Sequence, residues 1–330
     1  MWIELCHAER GRSHIAAEIP CQDKTFSLSE NDVHVIALAD GAGSAKLSHF
    51  GAEKATEQIS TLLIEKFEEI FCNDNAEEVR NLVAKRINDA FTLLSKQLDC
   101  TQKDLACTLL VVAIKDDRFV LMHCGDGVIG YMQNDDLCVA SKPMNGEFSN
   151  ETFFITSGTR YLRMKKGFLN GIRAFVLMSD GAEACLYSKK DECLANFVAK
   201  MINYSTFLQL NSVEGILSNA FETTIIKKTT DDCSIAFLIK RDSETSKYSK
   251  QTFEEKCELL SVYGDARHLK SSLLKKEQFL RLLQSPKSFA EILEESGIKT
   301  NRYLNKKLSQ LLQIGLIEKA EGKYKATVVF

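Results

Sequence analysis

The chain predicts an α+β fold in which helices cover antiparallel sheet, and three features carry that expectation. Short apolar, β-branched segments follow one another between tight polar turns. Two long amphipathic stretches stand between the first such segment and the rest. Successive strands joined by four-residue polar connections read as hairpins, which excludes a doubly wound parallel sheet.

The run Val33 to Ala39 is short and apolar, as a buried strand is. After a loop over Asp40 to Ser48 the period lengthens, and Ala52, Ala55, Ile59, Leu62, Leu63, Phe67 and Ile70 share one helical face. A second helix, over Ala76 to Lys96, repeats the pattern with Val79, Leu82, Val83, Ile87, Phe91 and Leu94. Both faces need a sheet to cover. Thr108 to Ile114 and Phe119 to His123 flank the turn Lys115-Asp116-Asp117-Arg118. Val128 to Met132 and Leu137 to Ala140 flank Gln133-Asn134-Asp135-Asp136 in the same way. Residues 142–172 are polar and contain glycine, which predicts a long surface excursion near the acids described below. A strand over Ala174 to Met178, helices across Asp191 to Phe221 and a strand over Ser234 to Lys240 complete this part.

Composition narrows the class. A hydrophobic fraction of 45% with 26% charged residues excludes a disordered chain. At 330 residues, the chain predicts two domains or one large domain with an appendage. Charge is uneven: residues 1–242 carry 26 Lys+Arg against 34 Asp+Glu, whereas residues 265–330 carry 13 against 7. An acidic body with a basic tail points to different partners for each. The 11 cysteines include no Cys-x-x-Cys pair, so zinc-ribbon and redox motifs are absent and the thiols read as small buried hydrophobes in a reducing compartment. No basic segment followed by an apolar one opens the chain, and no stretch reaches the ~18 apolar residues of a membrane span. A cytoplasmic protein is expected.

The chemistry is concentrated in short aspartate-bearing segments: Cys21-Gln22-Asp23, Ala39-Asp40-Gly41, Met178-Ser179-Asp180-Gly181 and Thr230-Asp231-Asp232-Cys233-Ser234. An apolar run abuts three of them. An aspartate at the end of a buried strand is costly to desolvate unless something positive shares its site. Several converging carboxylates call for a hard cation, and oxygen donors suit Mg²⁺ or Mn²⁺. The expected chemistry is metal-dependent hydrolysis.

In their order and contexts these segments resemble the metal-dependent serine/threonine protein phosphatases of type 2C, over roughly residues 1–241. The family's strand-then-Asp-Gly motif stands as Ala37-Leu38-Ala39-Asp40-Gly41-Ala42-Gly43, and its Gly-Ser/Cys-Thr strand as Ala106-Cys107-Thr108-Leu109-Leu110-Val111. His123-Cys124-Gly125-Asp126-Gly127 matches its Gly-Asp motif, Met178-Ser179-Asp180-Gly181 its Ser-Asp-Gly motif, and Asp231-Asp232-Cys233-Ser234 its closing Asp-Asn motif. The resemblance implies two packed antiparallel sheets flanked by helices on both sides, in α-β-β-α layers. It implies phosphoprotein substrates and two Mn²⁺ or Mg²⁺ ions, with a third in bacterial members. Asp40 would bridge two ions and the Gly41 carbonyl would bind one. Asp180 and Asp231 would hold the second ion, Asp23 would act nearby through water, and Asp126 would help bind the third. Asp231 is favoured over Asp232, which stands where asparagine is usual. Paired divalent ions lower the pKa of a shared water and offset phosphoryl charge, so no protein nucleophile is needed.

Two positions depart from that pattern, in the manner of a divergent bacterial branch. Glu18 stands where many relatives carry a phosphate-gripping arginine, so Arg12 or His14 is expected to contact the phosphate instead, against a structural role for both. Ala42 stands where eukaryotic members often carry a proton-donating histidine, and alanine cannot do that work. His49 and His123 are spare donors, although a lone histidine among apolar residues is more often core. The alternative reading, motivated by Glu18 and Ala42, is a silent module that binds phosphoproteins.

The domains expected are a phosphatase domain over 1–242, a polar linker over 243–250 and an extension over 251–330. In the extension Leu259 to Leu283 reads as a helix, Ser288 to Gly297 as a capped helix, and Thr300 to Ile314 as a helix with Leu304, Leu308, Leu311 and Leu312 on one face. A hairpin over Leu316 to Thr327 follows, and the whole resembles a winged helix. Protein docking or dimerisation is expected of it, with DNA contact through Asn301, Arg302, Asn305, Lys306, Lys307, Lys323 and Lys325 as the alternative.

Overall fold

The computed structural model describes residues 1–144, 152–241, 248 and 251–328. The chain divides into two compact units: Trp2–Ile202 with Leu217–Lys240, and Met1 with Asn203–Ile216 and Arg241–Phe330.

In the first unit ten strands make two five-stranded antiparallel sheets. One holds β2 (Lys24–Glu30), β3 (Val33–Ala39), β4 (Leu109–Lys115), β5 (Arg118–Cys124) and β8 (Arg163–Phe168), in that order. The other runs β1 (Trp2–Glu9), β12 (Cys233–Lys240), β9 (Ile172–Met178), β6 (Val128–Gln133) and β7 (Asp136–Ser141). The predicted turns close β4 onto β5 and β6 onto β7, with Lys115 opposite Arg118 and Gln133 opposite Asp136. Asp116, Asn134 and Asp135 take the left-handed backbone such tight turns need.

The two sheets bury their facing sides against each other. Ile36, Leu38, Leu110, Val112 and Leu121 of one meet Ile129, Phe175, Leu177, Ala236 and Leu238 of the other. Alternate residues of the same strands, Val35, Ala37, Val111 and Met122, turn outward beneath α2 (Ser48–Cys72) and α3 (Ala76–Leu98). Both faces are therefore apolar, which is why these strands read as unbroken hydrophobic runs. Each fully buried Ile, Leu or Phe side chain contributes ~1.5–3 kcal/mol. Over the other sheet α4 (Asp180–Leu186) packs against β12, and Phe221 stands edge-on to His7 at 4.8 Å between ring centroids. The helix–sheet–sheet–helix layering expected from the resemblance is thus present.

Three features differ from expectation. The strands β1 and β2 lie on sequence too polar to signal them. The expected excursion over 142–172 contains β8, a sheet-edge strand whose Arg163, Lys165 and Lys166 suit an unpaired edge; residues 145–151 of that stretch fall outside the described residues. Finally, the helix expected over Leu259 to Leu283 begins only at Ala266: α7 (Phe253–Leu259) ends at the expected start, Ser261 and Gly264 take positive φ, and α8 (Ala266–Leu282) follows. Between β9 and β12 the chain also forms a short hairpin, β10 (Tyr187–Ser188) with β11 (Cys193–Leu194), then α5 (Asn196–Phe207) and α6 (Leu210–Ala220).

The strand register brings the aspartate segments together. Lys24 lies opposite Ala39, Leu109 opposite Cys124, Val128 opposite Met178, and Met178 opposite Ile235. The residues just before β2, after β3, between β5 and β6, after β9 and before β12 consequently share one end of the sandwich.

In the second unit, β13 (Lys287–Ser288), β15 (Lys323–Ala326) and β14 (Ile317–Ala320) form a three-stranded antiparallel sheet in that order. With it go α8, α9 (Phe289–Glu295) and α10 (Asn301–Gln313). Ser288 caps α9 through a reciprocal box with Glu291, and Gly297 follows at positive φ. Leu304, Leu308 and Leu311 form the buried face of α10. The expected linker over 243–250 lies outside the described residues except for Tyr248, which is buried and donates to Glu277 Oε1 at 3.1 Å.

Candidate metal centre

Each acid is delivered by the end of a strand. Asp40 follows β3 directly, and its backbone is clasped to Thr108 at the start of β4: Asp40 N–H donates to Thr108 Oγ1 at 2.8 Å, and Thr108 N–H donates to the Asp40 carbonyl at 2.8 Å. Asp126 sits in the tight turn from β5 to β6, where Gly125 has φ +126 and packs on Thr108 so closely that a Cβ would lie 2.6 Å from it. Asp180 follows β9 and begins α4. Asp231 precedes β12 and accepts from the Asp232 N–H at 2.9 Å.

Asp40, Asp126 and Asp180 each present a carboxylate oxygen within 4.8 Å of the others. They line a recess of about 260 Å³ together with Asp231, Gly41, Ala42, Thr108 and His14. Asp23 lies behind the recess, 1% exposed, with the Ser179 and Ser234 hydroxyls beside it. Among the described residues, neither oxygen of Asp23, nor Oδ1 of Asp180, meets a donor in hydrogen-bonding geometry. Asp126 fares differently, accepting from Thr152 Oγ1 at 2.6 Å.

Crowding raises these carboxyls. Burial, opposed by the two serine hydroxyls, pushes Asp23 up to about 7, with Asp232 and Asp180 adding to the rise. Asp40 is raised well above the carboxylate range by burial first, then by Asp23, Asp180, Asp126 and Asp231. Asp180 is pushed up to about 6 by burial and by Asp126 and Asp231. Buried acids that repel one another and keep unpartnered oxygens fit a site for hard divalent cations, which would supply the missing positive charge.

The other expected site residues separate. His14 lines the recess; Arg12 does not, and both its Nε and Nη2 donate to the Thr229 carbonyl, at 3.1 and 3.0 Å. Glu18 does not line the recess either. Its backbone is left-handed at φ +56, and its side chain is exposed. Asp231 and Asp232 part company: Asp231 faces the recess, while Asp232 is 2% exposed and accepts from the backbone N–H groups of Gly11 and Gln22, both at 2.6 Å. His123 is fully buried beside Ser141 Oγ at 2.7 Å, and burial pushes its pKa down to about 3. His49 stacks on Phe50 and lies off the recess.

Sequence reasoning missed Thr152 and Phe154, which line the recess from the polar excursion. Nothing in their local sequence marks them. It also missed what Asp232 holds, although an acid where asparagine is usual was the available signal.

The family model for protein phosphatase 2C matches residues 10–218. Serine/threonine-protein phosphatase 3 of Escherichia coli (strain K12) is 28% identical over 162 residues, 47% of this chain and 63% of that relative. The chain thus matches less than two thirds of the relative's length. A bacterial serine phosphatase crystal structure superposes with a TM-score of 0.54 at 13% identity, covering 74% of this chain and 100% of its own. The serine/threonine phosphatase of S. agalactiae gives 0.50 at 14% identity, over 73% and 100%. At such identities these superpositions speak for the fold.

Proposed function

The chain belongs to the protein phosphatase 2C family, and from that premise we propose that it hydrolyses phosphoserine and phosphothreonine in proteins with Mn²⁺ or Mg²⁺ bound. The observation that carries this reading is the cluster of Asp40, Asp126 and Asp180 within one recess. Asp40, Asp180, Asp231 and Asp126, with the Gly41 carbonyl, would hold the ions, and Asp23 would act from behind through water. Bound divalent ions supply an activated water and offset phosphoryl charge.

The chain's own residues do the rest. Thr108 fixes the backbone that presents Asp40. His14 contacts the substrate phosphate, because it is the one lining side chain among the described residues that can carry positive charge. The open recess admits a phosphorylated side chain on a protein surface.

Hydrolysis of p-nitrophenyl phosphate and a phosphothreonine peptide with Mn²⁺, by wild type and Asp40→Asn, tests the reading. Equal activity in the two proteins, or indifference to a chelator, overturns it. The silent-module reading draws on Ala42, which lines the recess without a proton to give. Calorimetric Mn²⁺ binding with no turnover on either substrate is its signature.

For the second unit we propose a winged-helix-like module that docks a protein. Leu274 of α8 and Tyr303 of α10 are 54% and 59% exposed, large apolar groups left uncovered in a unit rich in lysine and arginine. DNA contact is the second reading, favoured because α10 carries no acid. Sedimentation of the full chain reads self-association. Retardation of random duplex DNA that weakens with salt would favour the second reading.

A further inference from the structure

A hydrolysed phosphoserine or phosphothreonine ester leaves as a poor alkoxide and needs a proton. Ala42 cannot give one, and among the described residues neither lysine nor arginine lines the recess. His14 does line it, and the surrounding chain is organised to hold that ring. His14 Nδ1 lies 2.9 Å from Asp232 Oδ2, with the two side chains 14% and 2% exposed. The same carboxylate accepts the Gly11 and Gln22 N–H groups at 2.6 Å, so it cannot swing away without leaving both unmet.

The short helix carrying His14, α1 (Arg12–Ala16), is tied to the loop before β12 at four further donors. Ser13 N–H and Ser13 Oγ donate to the Thr230 carbonyl at 3.0 and 2.6 Å, beside the Arg12 bonds to Thr229. Gly11 makes the approach possible: a Cβ there would lie 2.4 Å from the Asp231 carbonyl carbon. Nδ1 sits at ion-pair distance from Asp232 but outside hydrogen-bonding geometry, and Nε2 is the nitrogen left for the recess.

We propose that His14 is the proton donor to the leaving serine or threonine oxygen, and that Asp232 is the positioning residue that aims its Nε2–H. This deepens the phosphatase reading and rests on it. As water adds to phosphorus, the ester P–O bond breaks and its electron pair stays on the side-chain oxygen. The Nε2 proton of the imidazolium goes to that oxygen, the attacking water's proton leaves to solvent, and the ring regains a proton at Nε2 from solvent. Ester and water become alcohol and inorganic phosphate, with nothing else consumed. The dyad is a different solution from a histidine at the Ala42 position, since its donor comes from the segment between β1 and β2.

Leaving-group dependence separates a donor from a mere phosphate clamp. p-Nitrophenolate departs without help, whereas a threonine alkoxide does not. In the full chain with Mn²⁺, His14→Asn is expected to lower kcat/KM for a phosphothreonine peptide about 100-fold more than for p-nitrophenyl phosphate, which loses only the phosphate contact. Equal loss on both substrates overturns the donor role and leaves the phosphatase reading standing. A wild type inert on both overturns the two together. The positioning role is read in chelated protein by ¹⁵N NMR of the imidazole. The ring should keep its proton on Nδ1 when neutral and carry the transferable Nε2 proton as imidazolium, and Asp232→Asn should shift the neutral ring's proton towards Nε2. A wild-type ring unprotonated at Nδ1 refutes the contact, whether or not the Asp232 variant folds.

Discussion

Asp40 and Thr108 hold each other by a reciprocal pair of hydrogen bonds, each 2.8 Å long, that joins the end of β3 to the start of β4. The central acid of the recess is thus placed by backbone and hydroxyl. Thr108→Val keeps the side-chain shape and removes the acceptor, leaving the Asp40 N–H unmet. A loss of about 1–3 kcal/mol in denaturant unfolding is expected, together with weaker Mn²⁺ binding by calorimetry. Unchanged Mn²⁺ affinity would show that the clasp does not position the acid.

Asp40→Asn removes one charge from a cluster whose members repel. Thermal melts of the chelated protein should therefore rise, while Mn²⁺ should no longer raise them. Hydrolysis should fall by more than about 100-fold, beyond the range typical of groups that only support a ligand. A variant that still gains stability from Mn²⁺ would place the ions elsewhere.

The raised carboxyls fix the sign of a pH effect in chelated protein. A carboxyl whose folded pKa is raised adds stability that is complete below the unfolded value and lost as pH rises through the folded one. Asp23, pushed up to about 7, and Asp180, to about 6, therefore weaken the fold as they ionise. His123, held down at about 3 by burial, acts oppositely, but only below the unfolded histidine value of about 6.5. From about pH 6.5 to 8 the carboxyl effect stands clear of it. Melting temperature should fall across that window, less steeply in Asp23→Asn and not at all with saturating Mn²⁺. A rise over the same window would contradict the burial argument for Asp23.

Gly11→Ala should be costly because the added carbon meets backbone, at 2.4 Å from the Asp231 carbonyl carbon and 2.6 Å from Asp232 N. About 1–3 kcal/mol is expected from such overpacking, with loss of activity as the Asp231 loop shifts. Gly215→Ala, on an exposed turn of α6 with nothing within 4 Å, is the contrast. There a gain of about 0.5–1 kcal/mol is expected. Equal melting shifts in the two variants would remove the packing argument.

The sandwich was legible where both faces of a strand are buried, because β3, β4 and β9 are nearly all apolar, as only a doubly covered strand needs to be. The strands β1, β2 and β8 were not, since each keeps polar residues on a partly exposed side and its place is set by neighbours distant in sequence. The acids of the recess were legible as strand-end motifs. Their division of labour was not: Asp231 and Asp232 are adjacent and chemically identical, and only the backbone donors of Gly11 and Gln22 turn one inward. Arg12 and His14 were likewise inseparable until the Thr229 carbonyl took the guanidinium.

Asn203–Ile216 is grouped with Arg241–Phe330, so the smaller unit is discontinuous in sequence, with Leu217–Lys240 running between its pieces. This bears on how such a chain can be inherited. A recombination event that carried only the last stretch to a new host would leave part of the module's foundation behind. The extension is therefore bound to travel with the body that interrupts it, and shuffling it as a cassette should yield insoluble chimeras.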